Sequence, residues 1–398
     1  MEALWVVVLA TAALLVRVGQ TLNAFGMARA KNAASAGFRS LADICVATLC
    51  FWTIGAAILF QQNNLVIGIQ PGQVIGWRGL SSNWVGMLAV MLLATGIIGP
   101  VLAERSKLSV PLTMAALMAA FMVPLVAFWT RRGWLSELGF IDAGGAAAVH
   151  LTPALCAATA AILVGARDGK YNRDGSSNMI PGHSVPLMLM ATLFMLVGWT
   201  PYMLLFANAV EGRDAIAANV FVAAAAGGFV SLVVAFIRFG KCDILLMCSG
   251  ILGGLVSITA AAATVGTPAA FVIGAVAGVV IPWMTVKIDL GWKIDDPAGV
   301  IAIHGVGAIW ALIASAIFAH LPAAERLRLL GIHALGIAVI AITTISLSAS
   351  LLLILKSITG LRSKEADEYD GLDLAEHDIN AHPDFQQTMI KSYHLREA

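Results

Sequence analysis

Asp296-Pro297-Ala298-Gly299-Val300-Ile301-Ala302-Ile303-His304, continuing without a charge through Trp310 to Phe318, decides how this 398-residue chain is read. The run is apolar, of helical length, and holds one histidine. Asp296 suits a helix N-cap and Pro297 the first helical position, so a helix is expected to open here. The same layout occurs earlier, where Asp142 opens an apolar run and His150 follows at the same spacing. Laying 142–164 on 296–318 matches Asp142 with Asp296, Gly145 with Gly299, Ala148 with Ala302 and His150 with His304, and three later alanines also coincide. This weak, in-register repeat predicts two related halves, each carrying one buried histidine.

Hydrophobic residues make up 59% of the chain and charged residues 12%, with a mean hydropathy of +0.87. Soluble domains carry about 25% charged residues, so a soluble enzyme domain is excluded. Apolar runs near 4–28, 41–60, 84–103, 110–129, 144–165, 186–207, 215–237, 244–263, 268–286, 298–319 and 331–355 come close to the ~20 residues that span a bilayer. The expected fold is an all-α polytopic membrane protein of eleven transmembrane helices. The alternating pattern of barrel strands is missing from the sequence.

Basic residues set the orientation. With the N-terminus outside, 17 of the 24 Lys and Arg fall in inside segments, among them Arg29, Lys31, Arg105, Arg167, Lys293, Lys391 and Arg396. Outer loops hold 6, namely Arg78, Arg131, Arg132, Arg213, Arg326 and Arg328, and Arg17 lies within span 1. The N-terminus is therefore expected to be periplasmic and the C-terminus cytoplasmic. Glu2 precedes the first apolar run and no Lys or Arg does, which argues against a signal peptide. A net charge of +1 suggests no nucleic-acid partner. Cys45, Cys50, Cys156, Cys242 and Cys248 form no CxxC pair, so neither a disulfide framework nor a metal site is indicated, and no cofactor is expected.

An odd number of spans per half forces the second half to be inverted. The expected units are 1–183, a first five-span repeat with its connector; 184–320, the inverted second repeat; 321–356, the eleventh span; and 357–398, a cytoplasmic tail. Inversion gives the histidines a joint meaning. Each lies eight residues from a helix end, on opposite sides, hence about 12 Å deep in a core of about 30 Å. Their depths differ by only about 6 Å, which permits contact if the helices pack together. Each could simply hydrogen-bond a neighbouring helix, but two at equivalent depth point to a substrate pathway. Imidazole both donates and accepts, and burial disfavours imidazolium, so the pair should be neutral or share a proton.

Other residues read more plainly. Arg17, Gln20 and Asn23 suit interhelical hydrogen bonds, and the glycines after Cys248 suit close packing. His183 reads as a loop residue. Trp129 reads as an interfacial anchor, or as one wall of a cation site.

The chain is similar to the ammonium transporter/Rh family over nearly its whole length. The resemblance is carried by Gly19, Gly26, Arg29-Ala30-Lys31-Asn32, Ala103-Glu104-Arg105, Asp142 with His150, Pro181, His183 and Pro186, Gly198-Trp199, Cys248-Ser249-Gly250, Asp295-Asp296-Pro297 with His304-Gly305-Val306-Gly307, and Gly371-Leu372-Asp373. It implies a homotrimer in the inner membrane, each subunit with its own pore. Ammonium would be recruited at an outer vestibule, pass an aromatic gate and cross as ammonia beside His150 and His304. Asp142 matches the acidic residue near the recruitment site, and Trp129 matches the vestibule tryptophan after a one-residue shift. Tyr202 stands in for the second gate aromatic. Val90 falls where the family has its first gate phenylalanine, and Phe206 where it has the recruiting serine. The family's further Asp would fall at Gly299, and Pro153 is expected to kink span 5. A PII-type regulatory protein is the cytoplasmic partner that the family implies. The expected function is ammonium transport. Alternatives are an ammonium sensor with little flux, or a channel for another small neutral solute.

Overall fold

The computed structural model describes residues 3–62, 64–76, 81–207 and 212–383. Of the basic residues counted above, Arg78, Lys391 and Arg396 lie outside the described residues, as do parts of the 61–83 loop and of the tail. Among the described residues nine helices are long and apolar enough to cross a bilayer, and two shorter apolar helices stand between them. In chain order they are α1 (Ala3–Met27), α2 (Ala30–Leu59), α3 (Ser82–Leu102), α4 (Ser109–Leu138), α5 (Ala146–Val164), α6 (Val185–Leu204), α7 (Arg213–Phe239), α8 (Ile244–Ile258), α9 (Thr267–Gly291), α10 (Ile301–Ile317) and α11 (Ala323–Ile358). The chain is an all-helical polytopic membrane protein, and these eleven helices fall on the eleven expected apolar runs.

Small residues set how closely the helices approach, because lipid supplies no hydrophobic drive between them. A Cβ added at Gly19 of α1 would stand 2.6 Å from the Ala191 carbonyl oxygen of α6. Gly227 of α7 meets Gly250 of α8 in the same way, at 2.3 Å from its carbonyl oxygen, so the glycines after Cys248 are packing residues. Arg17 and Gln20 do bond between helices. Arg17 pairs with Asp43 of α2 and donates to the Ser40 carbonyl at 2.8 Å, and Thr95 of α3 donates to Asp43 at 3.0 Å. Gln20 donates to the Leu93 carbonyl at 2.9 Å. Asn23 does not join this cluster; it lines an inner cavity near Met188 and Ile303.

A buried ion network holds the helix ends around Asp295. Arg105 pairs with the Asp295 carboxylate and donates to the Asp295 carbonyl at 2.8 Å. Arg167 grips the same carboxylate through Nε at 2.9 Å and Nη2 at 3.0 Å, and reaches Glu104 at 3.3 Å. Glu104 in turn accepts from Arg29 and Asn32. The described part of the tail docks on this layer. Asp373, in the short helix Leu372–His377, accepts from the backbone N–H of Ser35 at 2.7 Å and of Ala34 at 3.1 Å, capping α2 from a distance. Glu376 takes Arg39 with both oxygens at 2.8 Å.

Asp295 immediately precedes the turn into α10, so the network fixes where that helix starts. Burial pushes its carboxyl up, but the Arg167 hydrogen bonds and the Arg105 and Arg167 charges hold it below the usual carboxylate value. A depressed carboxylate contributes stability that is present above its unfolded pKa and lost as pH falls through the folded one. Asp295→Asn leaves the buried Arg105 without its anion and Arg167 with Glu104 alone, and should cost about 3–5 kcal/mol. The measurement is the thermal midpoint in detergent against pH. The parent should lose stability at acid pH below the ordinary carboxylate range, and the variant should start lower and lose less there. A variant as stable as the parent at neutral pH would refute the assignment.

Candidate functional site

α5 and α10 enter the bundle through the same local structure. Gly145 and Gly299 both adopt left-handed backbone, with φ of 83° and 65°. Each amide turns back on its aspartate, Gly145 N–H on the Asp142 carbonyl and Gly299 N–H on the Asp296 carbonyl. The aspartate carboxylates then cap the helix starts. Asp142 accepts from Ala147 N–H at 3.0 Å, and Asp296 from Val300 and Ile301 N–H at 2.9 and 2.7 Å. Burial pushes both carboxyls up to about 6, against the backbone N–H bonds that pull them down. The helix therefore does not open at Asp296 with Pro297 in its first turn. A turn closed by a left-handed glycine intervenes, and Gly299 stands where the family's Asp was expected.

Both helices begin with a wide π-type turn, Ala146–Leu151 and Ile301–Val306, and each histidine sits inside it. Pro153 follows the first such turn, but the equivalent residue of the second is Gly307. The irregularity is thus shared by both halves and is not a proline kink, correcting the expectation for span 5. Such turns recur at functional sites because they expose and redirect side chains. Alanines and Gly305 bring α5 and α10 together; a Cβ on Gly305 would lie 3.4 Å from that of Ala154.

The result is direct contact between the two imidazoles. His304 Nδ1 and His150 Nδ1 are 3.2 Å apart, with ring centroids at 5.2 Å and planes tilted by 26°. One Nδ1 must carry the proton and the other accept it, so the pair holds a single shared proton between the rings. The outward Nε2 atoms then present one acceptor and one donor. His150 Nε2 is buried with no hydrogen-bond partner among the described residues.

A column of rings rises from His150 along one face of α6 and into the turn that follows it. Trp199 stacks on His150 at 5.2 Å and 10°, Tyr202 stands edge-on to Trp199 at 5.7 Å and 86°, and Phe206 stands edge-on to Tyr202 at 5.6 Å and 88°. Tyr202 is also 6.1 Å from His150 and donates its hydroxyl to the Gly144 carbonyl. Beyond the Phe206 end of the column, on the side that the loop charges predict to be outer, a cavity of about 500 Å³ is lined by Thr130, Arg131, Asp142, Met203, Phe206 and Thr264. Below it an inner cavity of about 460 Å³ reaches Gly299 and Ile303.

Not every expected site residue joins this column. Trp129 is buried, donates its indole N–H to the Val66 carbonyl, and packs on Trp134 with centroids 6.0 Å apart. The one-residue shift therefore turns the wrong side chain toward the cavity; Thr130 and Arg131 face it. Val90 is buried in the same apolar cluster as Tyr202, His150's nearest phenol. Sequence reasoning also missed Trp199, read as a motif residue without a contact, and His333 of α11. The latter accepts from the Ile141 N–H at 3.2 Å and meets the Leu312 carbonyl at 2.7 Å, tying the Asp142 loop to α10. An ionisable residue within a span is itself a signal, and His333 carried it.

The sequence model of the Ammonium Transporter Family matches residues 4–382. The chain belongs to this family. It is 30% identical to ammonium transporter Amt2 of Archaeoglobus fulgidus, over 96% of this chain and 88% of that protein. It is 30% identical to ammonium transporter Amt1 of Haloferax mediterranei, over 96% and 79% respectively. Among solved structures, a sensor Amt protein matches with a TM-score of 0.88 and 32% identity, covering 94% of this chain and 98% of its own. Saccharomyces cerevisiae Mep2 matches with a TM-score of 0.82 and 25% identity, covering 92% and 87%. Membership places this integral membrane protein among transporters rather than enzymes.

The left-handed turns yield a prediction. Gly145→Ala puts a Cβ into left-handed backbone and 2.9 Å from Val149 Cγ2, whereas at Gly299 the nearest atom is 3.6 Å away. Left-handed backbone alone costs about 1–2 kcal/mol for a residue with a Cβ. Both variants should lower the thermal midpoint in detergent, Gly145→Ala by more. Equal or negligible losses would refute the strain argument.

Proposed function

We propose that the chain carries ammonium across the cytoplasmic membrane, taking it in at the outer cavity and passing it as ammonia beside His150 and His304 to the inner cavity. The 3.2 Å contact between the two Nδ1 atoms carries this reading. A charge at the bilayer centre is costly, so the cation gives up its proton before the midplane. The paired imidazoles, with one donor and one acceptor left over, offer ammonia a polar partner in an apolar passage. They also give a proton a separate station. Tyr202 and Phe206 form the aromatic constriction above them, and Asp142 adds negative field at the mouth.

The loop charges support an N-out, C-in orientation in a bacterial inner membrane. The duplicated turns into α5 and α10 support the division into 1–183 and an inverted 184–320, followed by α11 and the tail. A homotrimer and a PII-type partner on the cytoplasmic face rest on the family resemblance. A second reading, ammonium sensing with little flux, is favoured by the guanidinium of Arg131 standing over Phe206 at the mouth. The 32% identity to a protein described as a sensor adds to it.

Flux in liposomes separates the readings. His150→Ala and His304→Ala each leave one buried imidazole without its partner, at about 1–3 kcal/mol, and the double variant removes the pair. Residues acting as one unit are not additive, so singles and double should depress ammonium flux by similar factors. If both singles transport like the parent, the pathway lies elsewhere. Saturable ammonium binding by a parent without flux would select the sensor reading. Topology has its own check: a cytoplasmic reporter fused after Ala398 should be active, and periplasmic activity from that fusion would overturn the orientation.

A further inference from the structure

Phe206 lies at the top of the ring column, and Arg131 is the cation on it. The guanidinium carbon is 4.6 Å from the Phe206 ring centroid, well within range for a cation–π contact. The two side chains come from different helices, α4 and the end of α6, and both line the outer cavity. The Phe206 ring also stands edge-on to Tyr202. Asp142 lines the same cavity, nine-tenths buried, with Oδ1 lacking a hydrogen-bond partner among the described residues. Among the described residues, the charged and titratable groups facing Arg131 are Asp142, Arg132 and Tyr202. The mouth thus has the parts of a cation site, an aromatic face and a carboxylate, with a tethered guanidinium already in it.

We propose that Arg131 is the resident cation of the outer mouth: it occupies the Phe206 face that an arriving alkylammonium or ammonium ion would take, and so weakens the mouth's hold on the arriving cation. The proposal rests on the reading of the outer cavity as the substrate's approach. A tethered group competes at high effective concentration, so a free monovalent cation must displace it to reach the ring. It must also approach a like charge, with Arg132 adjacent. A neutral amine meets neither penalty. Arg131 is exposed at the surface, on a long flexible side chain, so displacement needs no change in the helices.

Equilibrium binding tests this without requiring flux. The probe is methylammonium chloride, titrated into the full-length purified protein at fixed ionic strength. Arg131→Ala and Arg131→Gln should bind it more tightly than the parent, by roughly 2- to 30-fold, the range of one cation–π contact. Arg131→Lys restores a tethered cation and should return binding toward the parent. Adding Phe206→Ala to Arg131→Ala should abolish the gain. Flux gives a second readout: Arg131→Ala should lower the methylammonium concentration for half-maximal uptake by the same factor. Binding no tighter in Arg131→Ala and Arg131→Gln, with thermal midpoints retained, overturns the proposal, as does a gain that survives loss of Phe206. Absent flux in parent and variants would sink the transport reading instead, while the binding comparison still decides the role of Arg131.

Discussion

Two imidazoles in contact inside a bilayer are expensive, and much of the bundle serves to make that contact possible. Each ring must be desolvated, held in one orientation and left with a nitrogen facing the passage. The duplicated entrance into α5 and α10 does this with one device used twice. An aspartate caps the helix from four or five residues away, a left-handed glycine closes the turn, and a wide first turn swings the histidine inward. Small residues then let the two helices approach until Nδ1 meets Nδ1.

The surrounding structure fixes this device at both ends. On the outer side His333 bridges Ile141 and Leu312, so the loop carrying Asp142 cannot move independently of α10. On the inner side Asp295 is held by two arginines, and Asp296 follows directly in sequence. Buried charges of this kind add little net stability, but removing one partner leaves the others uncompensated. They therefore define position more than they add energy. The tail helix Leu372–His377 caps α2 and bonds Asn32, which donates to Glu104 in the same layer, at the start of α10.

The outer mouth is the part least like the family pattern quoted from the sequence. Phe206 stands where the resemblance implies a serine, Trp129 packs on Trp134, and the Arg131 guanidinium lies over the Phe206 ring. The histidine pair and its two caps keep the repeat intact. The open end of the ring column is thus built from α4 and the residues that follow α6, and the histidine contact from α5 and α10.

The sequence by itself determined the class, the eleven apolar helices and the equivalence of His150 with His304 at similar depth, because hydropathy and an in-register repeat are one-dimensional signals. It also placed Tyr202 and Phe206 on the helix that follows the connector. It could not show that Trp129 faces Val66 while Thr130 and Arg131 face the cavity, since one residue turns a helix by about 100° and only packing sets the zero of that rotation. Nor could it show that Gly145 and Gly299 are left-handed, that both histidine turns are wide, or that Trp199 stacks on His150. Those facts depend on which helix faces lie opposite one another across the bundle, and lipid-exposed and pore-facing sides of an apolar helix look alike in sequence. Tertiary packing alone decided them.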